Sequence, residues 1–493
     1  MKRRTFGAVA LCVLLLTTVV SGCAQQSAAG KAKDYVQERA ELAESNAYKT
    51  TVELTEKEKR VDARLQALKA EYLESCKDNV PYDMPVMTDE NIWNSKLYQF
   101  CKELPKGADL HVHGLALLPA AEFMDYVESR PDLYIVTEGN QKYTLVYHAQ
   151  GETPAEGEML LKDALSEGVL TREELNTNWT LLGAGEENIW VWFEKLFARH
   201  QCLGSYPELV QSYYEDAFRY YSQNNTEYLE VRVLLFGSHE DAVANAEAIR
   251  EAYYKVRDED PAFRVSIVGC GLKSVALDPA LTDTLMDNAQ YVHEQVKDTY
   301  DEKNTRDFLI GVDLVNEEDQ STPLEQYAPM LKKIKADHPD LHIILHAGES
   351  LFADSDNVID AYLIGAERIG HGLNLYRFPD IEEAVEEDDI CLEVCPISNQ
   401  ILRYVADLRL HPATEYLKRG VPFALCSDDP AYEEHTTLAD DHFAAIVCWD
   451  LGLAEVKQLC MNAIDYSLTD EATKKEMKEN WEQSWDTFLE AWL

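Results

Sequence analysis

Apolar residues follow two alternating patterns along this chain from residue 105 onwards. Short apolar or alternating segments, which predict strands, are separated by amphipathic stretches of helix length such as 241–257 and 322–335. The predicted strands are the segments 109–113, 228–236, 264–272, 309–315, 341–346, 368–371, 390–395 and 422–427. Regular alternation of strand and helix is typical of a parallel sheet joined by crossover helices. We therefore predict an α/β fold, a (β/α)8 TIM barrel, within a domain that spans residues 101–493.

Two segments lie outside this barrel pattern. Residues 51–100 are predicted to form a helical arm, because Thr55 and Glu58 have the spacing of a capping box and apolar residues then recur at helical spacing from Val61 to Tyr72. This helix either packs on the barrel or serves as a homodimerisation arm, and the pattern favours neither. The stretch 124–182 is too long for one connection, so we expect an insertion after the first strand.

Histidines and carboxylates cluster at the C-terminal ends of the predicted strands, where a (β/α)8 barrel carries its active site. His111 and His113 end the first strand, and the period of two places both imidazoles on one face. The other strand ends carry the following residues: His346 with Glu349, then His371, and finally Asp428 with Asp429. A lone His-x-His is weak evidence, but polar residues of these types at four strand ends indicate a metal site.

Imidazoles and a carboxylate are the donor groups of a catalytic zinc ion, with one position left for an activated water. We predict one zinc ion per chain, bound by His111, His113, His346 and Asp428. Glu349 is then expected to deliver a proton to the substrate, and His371 to take or hold one. Asp429, beside a predicted ligand, is left to form a hydrogen bond with the substrate.

The net charge of the chain limits the kinds of molecule that it can bind. The 493 residues include 45 Lys and Arg against 89 Asp and Glu, a formal net charge of −44. This excess of acid excludes nucleic-acid binding and electrostatic docking on anionic lipid, because both need a basic surface. With 46% hydrophobic residues the chain has ample material for a large core. A neutral or cationic small molecule is the expected partner.

The N-terminus has the pattern of a bacterial lipoprotein signal. Basic residues 2–4 precede an apolar run, 6–20, that is too short for a transmembrane helix. The run ends in Val-Ser-Gly-Cys, which resembles a lipobox whose cysteine, Cys23, receives the lipid. We expect a signal peptide over 1–22 and a lipidated tether over 23–50, placing the protein on the extracytoplasmic side of a bacterial membrane, at the cell surface or facing a periplasm. An ordinary signal peptide with an incidental cysteine is the alternative.

The remaining nine cysteines are scattered and include no Cys-x-x-Cys pair. This arrangement suits neither a disulfide framework nor a zinc–cysteine site. Cys270, Cys391, Cys395 and Cys426 lie in apolar strand-like runs, which favours buried thiols. The sequence does not decide whether the other five cysteines form disulfides.

At its strand-end motifs the sequence resembles the adenosine deaminase family of the metal-dependent amidohydrolase superfamily. HVH at 111–113, HAGE at 346–349, RIGHG at 368–372 and SDDP at 427–430 occur in that family's order. The resemblance is stronger to the secreted, growth-factor-type members and runs from about residue 50 to the C-terminus. Its further motifs are LTEKEKRV (54–61), LPKGADLHVH (104–113), WVWFEKLF (190–197), GVDLVNEED (311–319), EVCPISNQ (393–400) and DLRLHP (407–412).

The resemblance implies a role for each of these residues. It makes the four predicted ligands zinc ligands, Glu349 the proton donor, His371 the general base or water-orienting group, and Asp429 the contact to purine N7. It also implies a pocket lined by the aromatic residues Trp190, Trp192, Phe193 and Phe197. The implied reaction is the zinc-dependent hydrolytic deamination of adenosine or 2′-deoxyadenosine to the inosine product and ammonia.

The chain departs from the family pattern where the sugar and base would bind. Ordinary members place an Asp two residues after the second His and secreted members place one directly after it, but this chain has Leu115 and Gly114 there. Asn316 replaces a glycine that faces the purine, and the secreted family's histidine after the third strand has no match near Leu272. Two alternatives therefore stay open: a sister amidohydrolase acting on another aminopurine or modified nucleoside, and a non-catalytic nucleoside-binding lipoprotein.

Overall fold

The computed structural model describes residues 35–76, 90–185, 187–273, 279–296 and 308–493. The predicted signal peptide 1–22, the predicted lipidation site Cys23 and the tether as far as residue 34 lie outside these ranges. Residues 35–49 belong to a separate unit, and within it residues 35–45 form helix α1. Among the helices of the described ranges, none is long and apolar enough to cross a membrane.

Eight parallel strands form a nearly closed barrel in the unit that begins at Thr50. In barrel order they are β1 (Gly107–His113), β5 (Thr226–Val233), β6 (Arg264–Leu272), β7 (Leu309–Val315), β8 (His342–Ala347), β9 (Arg368–His371), β10 (Cys391–Val394) and β11 (Phe423–Leu425). A bridge between Val112 and Asp428 joins the two ends of this sheet. The predicted (β/α)8 barrel is confirmed, and all eight strands lie within three residues of the expected bounds.

A second, antiparallel sheet precedes β5 in the chain. It has the order β3-β2-β4 and consists of β2 (Leu133–Val136), β3 (Leu145–Tyr147) and β4 (Glu158–Leu160). All three strands fall within the segment 124–182 that we expected as an insertion.

Helices cover the barrel and fill its connections. Those of the N-terminal part are α2 (Glu56–Ser75), α3 (Glu90–Trp93), α4 (Lys96–Glu103), α5 (Ala120–Ser129), α6 (Leu161–Ser166), α7 (Arg172–Trp179), α8 (Ile189–His200) and α9 (Pro207–Gln223). The crossover helices that follow are α10 (His239–Glu259), α11 (Pro279–Val296), α12 (Leu324–Asp337), α13 (Asn357–Ile364), α14 (Pro379–Glu387), α15 (Pro396–Ile401) and α16 (Ala413–Arg419). After β11 come α17 (Pro430–Glu433), α18 (Leu438–Cys448), α19 (Leu453–Asp465) and α20 (Glu471–Trp492).

The central strands are buried on both faces, which is why they read as nearly continuous apolar runs. Every residue of β6 and β7 is buried. Gly269 of β6 allows α11 to lie close to the sheet, because a Cβ at this position would be 2.5 Å from the Cβ of Ala289. Charged side chains within such strands face the barrel interior, and they form part of the site described below.

Helix α2 packs on its own barrel. It begins with the expected capping box, in which the Glu58 N–H donates to Thr55 Oγ1 (3.3 Å) and the Thr55 N–H donates to Glu58 Oε2 (2.7 Å). The buried apolar face consists of Val61, Leu65, Leu68 and Tyr72. The Tyr72 ring meets Phe443 of α18 edge-on, with ring centroids 5.0 Å apart. This face is thus used within the chain, and homodimerisation through the arm stays a prediction.

All nine cysteines of the described ranges are free thiols. Eight of them are buried, including the four at Cys270, Cys391, Cys395 and Cys426. They therefore contribute to the fold as small apolar side chains.

Candidate active site

The predicted metal ligands meet at the C-terminal end of the barrel. Ligand atoms of His111, His113 and His346 all lie within 4.8 Å of one another. Asp428 Oδ1 is 3.4 Å from His111 Nε2 and 3.3 Å from His113 Nε2. All four side chains are buried or nearly so, with His113 the most exposed at 13%. Three imidazoles and one carboxylate thus converge from β1, β8 and the residues after β11.

Two buried carboxylates orient two of these imidazoles. His111 Nδ1 lies 2.8 Å from Glu393 Oε2, and His346 Nδ1 lies 2.7 Å from Asp313 Oδ2. Because a carboxylate only accepts, each Nδ1 carries the proton and each Nε2 is left with a lone pair. The pKa of His346 is lowered to about 3 by burial, so its imidazole is neutral, as a metal ligand must be.

The donor set fits a divalent metal ion. His111 Nε2 is completely buried and has no hydrogen-bond partner, although its lone pair points into the cluster. An orphaned buried acceptor costs free energy unless something binds it. Imidazole nitrogens with a single carboxylate suit zinc and its first-row neighbours better than magnesium or calcium.

Three site residues adopt the left-handed backbone conformation. Asn316 (φ 97°) directly follows β7, His371 (φ 61°) ends β9, and Asp428 (φ 60°) lies three residues after β11. Left-handed backbone is uncommon outside glycine, and such conformations concentrate at functional sites. Here the turn redirects each side chain from the strand toward the mouth of the barrel.

Glu349 lies in the cavity as a buried carboxyl group whose protonated form is favoured. Burial, together with the negative charge of Asp428, raises the pKa of Glu349 well above its ordinary value. Its Oε1 is buried without a hydrogen-bond partner and lies 3.6 Å from His371 Nε2. Glu318 fixes the loop that carries it, because this carboxylate accepts the N–H groups of Gly348 and Glu349, both at 3.1 Å. A buried carboxylic acid that points into a cavity is equipped to donate a proton.

A relay of hydrogen bonds determines which nitrogen of His371 carries the proton. The Ala413 N–H donates to His411 Nδ1 at 3.1 Å, so the proton of neutral His411 lies on Nε2 and is donated to Asn399 Oδ1, also 3.1 Å away. Asn399 Nδ2 then donates to His371 Nδ1 at 3.3 Å.

Both histidines of this relay are neutral. Burial lowers the pKa of His411 to about 3 and lowers the pKa of His371 well below its ordinary value. Since Nδ1 of His371 accepts a hydrogen bond, the single proton of this imidazole lies on Nε2, which faces Glu349 and Asp428. His371 is therefore a hydrogen-bond donor toward the centre of the site.

Asp429 is the second buried carboxyl group of the cavity whose protonated form is favoured. Burial and the adjacent charge of Asp428 raise the pKa of Asp429 well above its ordinary value. Its Oδ1 is buried with no hydrogen-bond partner. A protonated carboxyl group that lines the cavity can donate to an acceptor nitrogen of a ligand.

A cavity of about 370 Å³ opens onto these groups. Trp190, Phe193 and Phe197 of α8 form one wall, and the Trp190 indole donates to the hydroxyl of Tyr404 at 2.8 Å. Trp192, which we expected in this wall, lies off the cavity because its position on the helix turns it away. Its indole N–H donates instead to the Thr180 carbonyl at 2.8 Å. The volume is in the range typical of small-molecule sites.

The positions that depart from the family pattern form another part of this wall. A Cβ on Gly114 would lie 2.0 Å from the hydroxyl of Tyr214, so a side chain at 114 is excluded unless Tyr214 moves. Leu115 lines the cavity, and the Asn316 side chain donates to Glu194 at 3.0 Å. The cavity wall continues with the apolar residues Leu234, Phe236, Leu272, Leu281 and Val315.

None of the described residues that line this cavity is Lys or Arg. Its ionisable lining residues are instead three histidines and the carboxyl groups of Glu194, Glu349, Asp428 and Asp429. The cavity is therefore suited to an uncharged or cationic molecule and poorly suited to a phosphate.

Several side chains of the site were not predicted from the sequence. Asp313 and Glu393 lie in the middle of apolar strands, and a charged residue inside a buried run was the available signal. No comparable pattern in the sequence marks Asn399, His411 or Glu194, because the residues they contact are distant in the chain.

The sequence is similar to known adenosine deaminases. The sequence model of the family described as adenosine deaminase matches residues 267–483. Adenosine deaminase 2 of Dictyostelium discoideum is 29% identical over 415 residues, which cover 80% of this chain and 75% of the relative. Adenosine deaminase of Phlebotomus duboscqi is 27% identical over 93% of this chain and 92% of its own. Human adenosine deaminase 2 is 28% identical over 88% and 89%, respectively.

Solved structures share the barrel. The N6-methyl-AMP deaminase of Arabidopsis thaliana superposes with a TM-score of 0.58 at 17% identity, covering 78% of this chain and 99% of that one. An amidohydrolase of Burkholderia ambifaria, solved with bound zinc, superposes with a TM-score of 0.57 at 16% identity over 80% and 94% of the two chains. At these identities the likeness concerns the fold. The family match over residues 267–483 and the relatives that span most of the sequence show that this chain is similar to adenosine deaminases.

Proposed function

We propose that this protein catalyses the zinc-dependent hydrolytic deamination of adenosine and 2′-deoxyadenosine, releasing ammonia and the inosine product. The observation that carries the proposal is the convergence of a three-imidazole, one-carboxylate donor set with the buried carboxyl group of Glu349 in one cavity. A pure binding protein needs no proton donor beside a metal site, which disfavours the non-catalytic alternative. The family relatives, which are named adenosine deaminases, support the same reaction.

Zinc is proposed as the metal because the donor set and its orienting carboxylates suit it. His111, His113, His346 and Asp428 would bind one ion per chain. A bound zinc ion supplies the Lewis acidity that makes a water molecule nucleophilic near neutral pH.

The side chains of the cavity carry out the remaining steps, which are proton transfer and binding of the base. The water oxygen forms a bond to C6 of the purine, and Glu349 transfers its proton to N1 as C6 becomes tetrahedral. As the bond from C6 to the exocyclic nitrogen breaks, this nitrogen takes one proton of the attacking water and leaves as ammonia. The second water proton returns to Glu349, and the C6–O bond becomes the carbonyl of the product. Asp429, neutral and buried, donates a hydrogen bond to the acceptor N7. These two carboxyl groups thereby also fix the base in the cavity.

His371 is proposed to orient the attacking water by donating from Nε2. Of the two roles considered for this residue, general base or water-orienting group, the relay through Asn399 favours the second, since Nε2 already carries the proton. An imidazole in this state holds the oxygen in place and cannot accept its proton at the same nitrogen.

The sugar pocket is proposed to differ from that of other members. Leu115, Gly114 and the apolar wall that includes Leu234 and Phe236 offer no carboxylate to the ribose hydroxyls. Besides adenosine, modified nucleosides with a less polar sugar are therefore a second class of candidate substrates.

We also propose that the protein is an extracytoplasmic lipoprotein. The basic start, the apolar run and the lipobox-like ending at Cys23 support this placement. The net charge of −44 suits it, because membrane attachment would then depend on the lipid alone.

Glu349→Gln tests the proton donor. We expect kcat for adenosine to fall by about 10²- to 10⁴-fold or more, because the amide has no transferable proton, while the zinc content is unchanged. Ammonia release and elemental analysis measure the two quantities. Glu382→Gln, a buried glutamate on α14 outside the cavity, is the matched control and should keep wild-type kcat. Full turnover by the Glu349 variant would refute the assignment.

Asn399→Asp tests the role of His371. A carboxylate at 399 only accepts, so the proton of His371 moves to Nδ1 and the donor toward the water is lost. We expect kcat to fall by about 10²-fold or more, by analogy with other wrong-tautomer variants, with KM and zinc content little changed. Nitrogen NMR of the labelled imidazole reports the tautomer. An unchanged kcat with the tautomer reversed would contradict the orienting role.

A substrate panel tests the selectivity of the cavity. We expect kcat/KM for adenosine to exceed that for AMP and N6-methyl-AMP by at least about 10²-fold, because a phosphate would be buried beside carboxylates without a cationic partner. Including 2′-deoxyadenosine and 5′-deoxyadenosine separates adenosine from less polar nucleosides. Comparable use of AMP would show that the cavity does not select against phosphate.

Cys23→Ser tests the anchor. We expect the wild-type protein in the membrane fraction of its bacterial host and the variant in the soluble or secreted fraction, since the thiol that receives the lipid is missing. Metabolic labelling with a fatty-acid analogue supplies a second readout. Equal fractionation of both proteins would contradict the anchor without bearing on the deaminase activity.

A further inference from the structure

A second group of metal-ligating side chains lies at the opposite end of the barrel from the active site. It consists of His293 and Glu294 in the last turn of α11, and His338 at the C-cap of α12, whose ligand atoms lie within 4.8 Å of one another. Asp340, in the turn before β8, adds a carboxylate 3.6 Å from His293 Nε2. Helices run antiparallel to the strands in this fold, so these helix ends lie at the N-terminal end of the barrel.

His293 has the state of a metal ligand. Its side chain is 1% exposed, and Nδ1 lies 2.8 Å from the carbonyl oxygen of Leu309 at the start of β7. Because a carbonyl only accepts, Nδ1 carries the proton. Nε2 points into the cluster and has no hydrogen-bond partner within the described part of the chain. An imidazole fixed through Nδ1 by a backbone carbonyl, with Nε2 left to coordinate, is the common arrangement at metal sites.

The spacing within the cluster fits ligands of one ion. His338 Nδ1 and Glu294 Oε1 are 3.0 Å apart, and His293 Nε2 and Asp340 Oδ1 are 3.6 Å apart. The second distance is too long for a hydrogen bond. Two ligand atoms on a tetrahedral ion, each bonded at about 2.0–2.1 Å, are separated by about 3.3 Å. The first distance is that of a hydrogen bond, which a bound ion would replace, and the second is close to the separation that a shared ion would impose.

The electrostatics of this end of the barrel favour a cation. The two carboxylates match the charge of a divalent ion, and α12 ends at His338, so the partial negative charge of its C-terminus faces the cluster. The side chains of Glu294 and Asp340 are 48% and 39% exposed, which leaves a path for the ion from solvent.

We propose that His293, Glu294, His338 and Asp340 form a second, structural site for a divalent first-row transition ion such as Zn²⁺. The ion joins α11, α12 and the turn before β8, and through His293 it connects to the start of β7. It has no access to the substrate cavity, because the two sites lie at opposite ends of the barrel. Its role is to stabilise the packing of these elements.

Metal content and thermal stability test the proposal with the whole soluble protein. After equilibration with Zn²⁺ and removal of the excess, we expect the wild-type protein to contain about one ion per chain more than His338→Gln or Glu294→Gln. Both substitutions are at partly exposed positions, so they should fold, and adenosine turnover should stay within about twofold of wild type. Zn²⁺ should raise the Tm of wild type more than that of either variant.

Two control variants separate this site from others. His239→Gln removes a surface histidine that pairs with one carboxylate, Asp287, at 2.7 Å, and should keep the wild-type zinc content. His346→Ala should lose the ion of the active site and keep the ion at the other end. Equal zinc content in wild type and in both cluster variants would show that the cluster is an ion-pair network without a metal, and would overturn the proposal.

Discussion

The architecture of the active site depends on a buried ion-pair network inside the barrel. Arg232 donates to Asp313 at 2.9 Å and also contacts Glu393, which in turn accepts from Arg368 at 2.7 Å. Arg368 also pairs with Glu230. All of these side chains are completely or almost completely buried, and removing one partner of such a pair typically costs about 3–5 kcal/mol. The network is thus a constraint on the whole barrel, not a local feature.

The same network determines the state of the predicted metal ligands. Glu393 and Asp313 use their remaining acceptor capacity for Nδ1 of His111 and His346, which fixes both imidazoles with Nε2 toward the cluster. Burial opposes ionisation of Glu393, but the charges of Arg232 and Arg368 outweigh it and hold the pKa of this carboxyl group well below its ordinary value. Two guanidinium groups alone do not balance the four carboxylates Glu230, Asp313, Glu393 and Asp428. A divalent ion at the strand ends would complete the balance, which is a physical reason for the site to bind one.

The sequence allowed the barrel and the main groups of the site to be predicted because both follow local rules. Strand and helix periodicities located all eight strands, and the barrel rule then placed residues such as His111, His346 and Asp428 at one rim. Helical periodicity also explains the outcome for Trp192, since Trp190, Phe193 and Phe197 share a face that this residue does not. The remaining features are not local. The contact between Gly114 and Tyr214 joins residues a hundred positions apart. The relay from His411 to His371 depends on β9, α15 and the turn before α16 meeting in space.

A hydrolytic deaminase of this kind depends on a metal ion bound at the strand ends. The most direct measurement is the ultraviolet change that accompanies conversion of adenosine to inosine, followed with the soluble form lacking residues 1–23, with and without a chelator. We expect turnover by the metal-loaded protein, its loss on chelation and its return when zinc is added back. Turnover that survives complete removal of the metal, or metal-loaded protein that releases no ammonia from any nucleoside, would contradict this expectation.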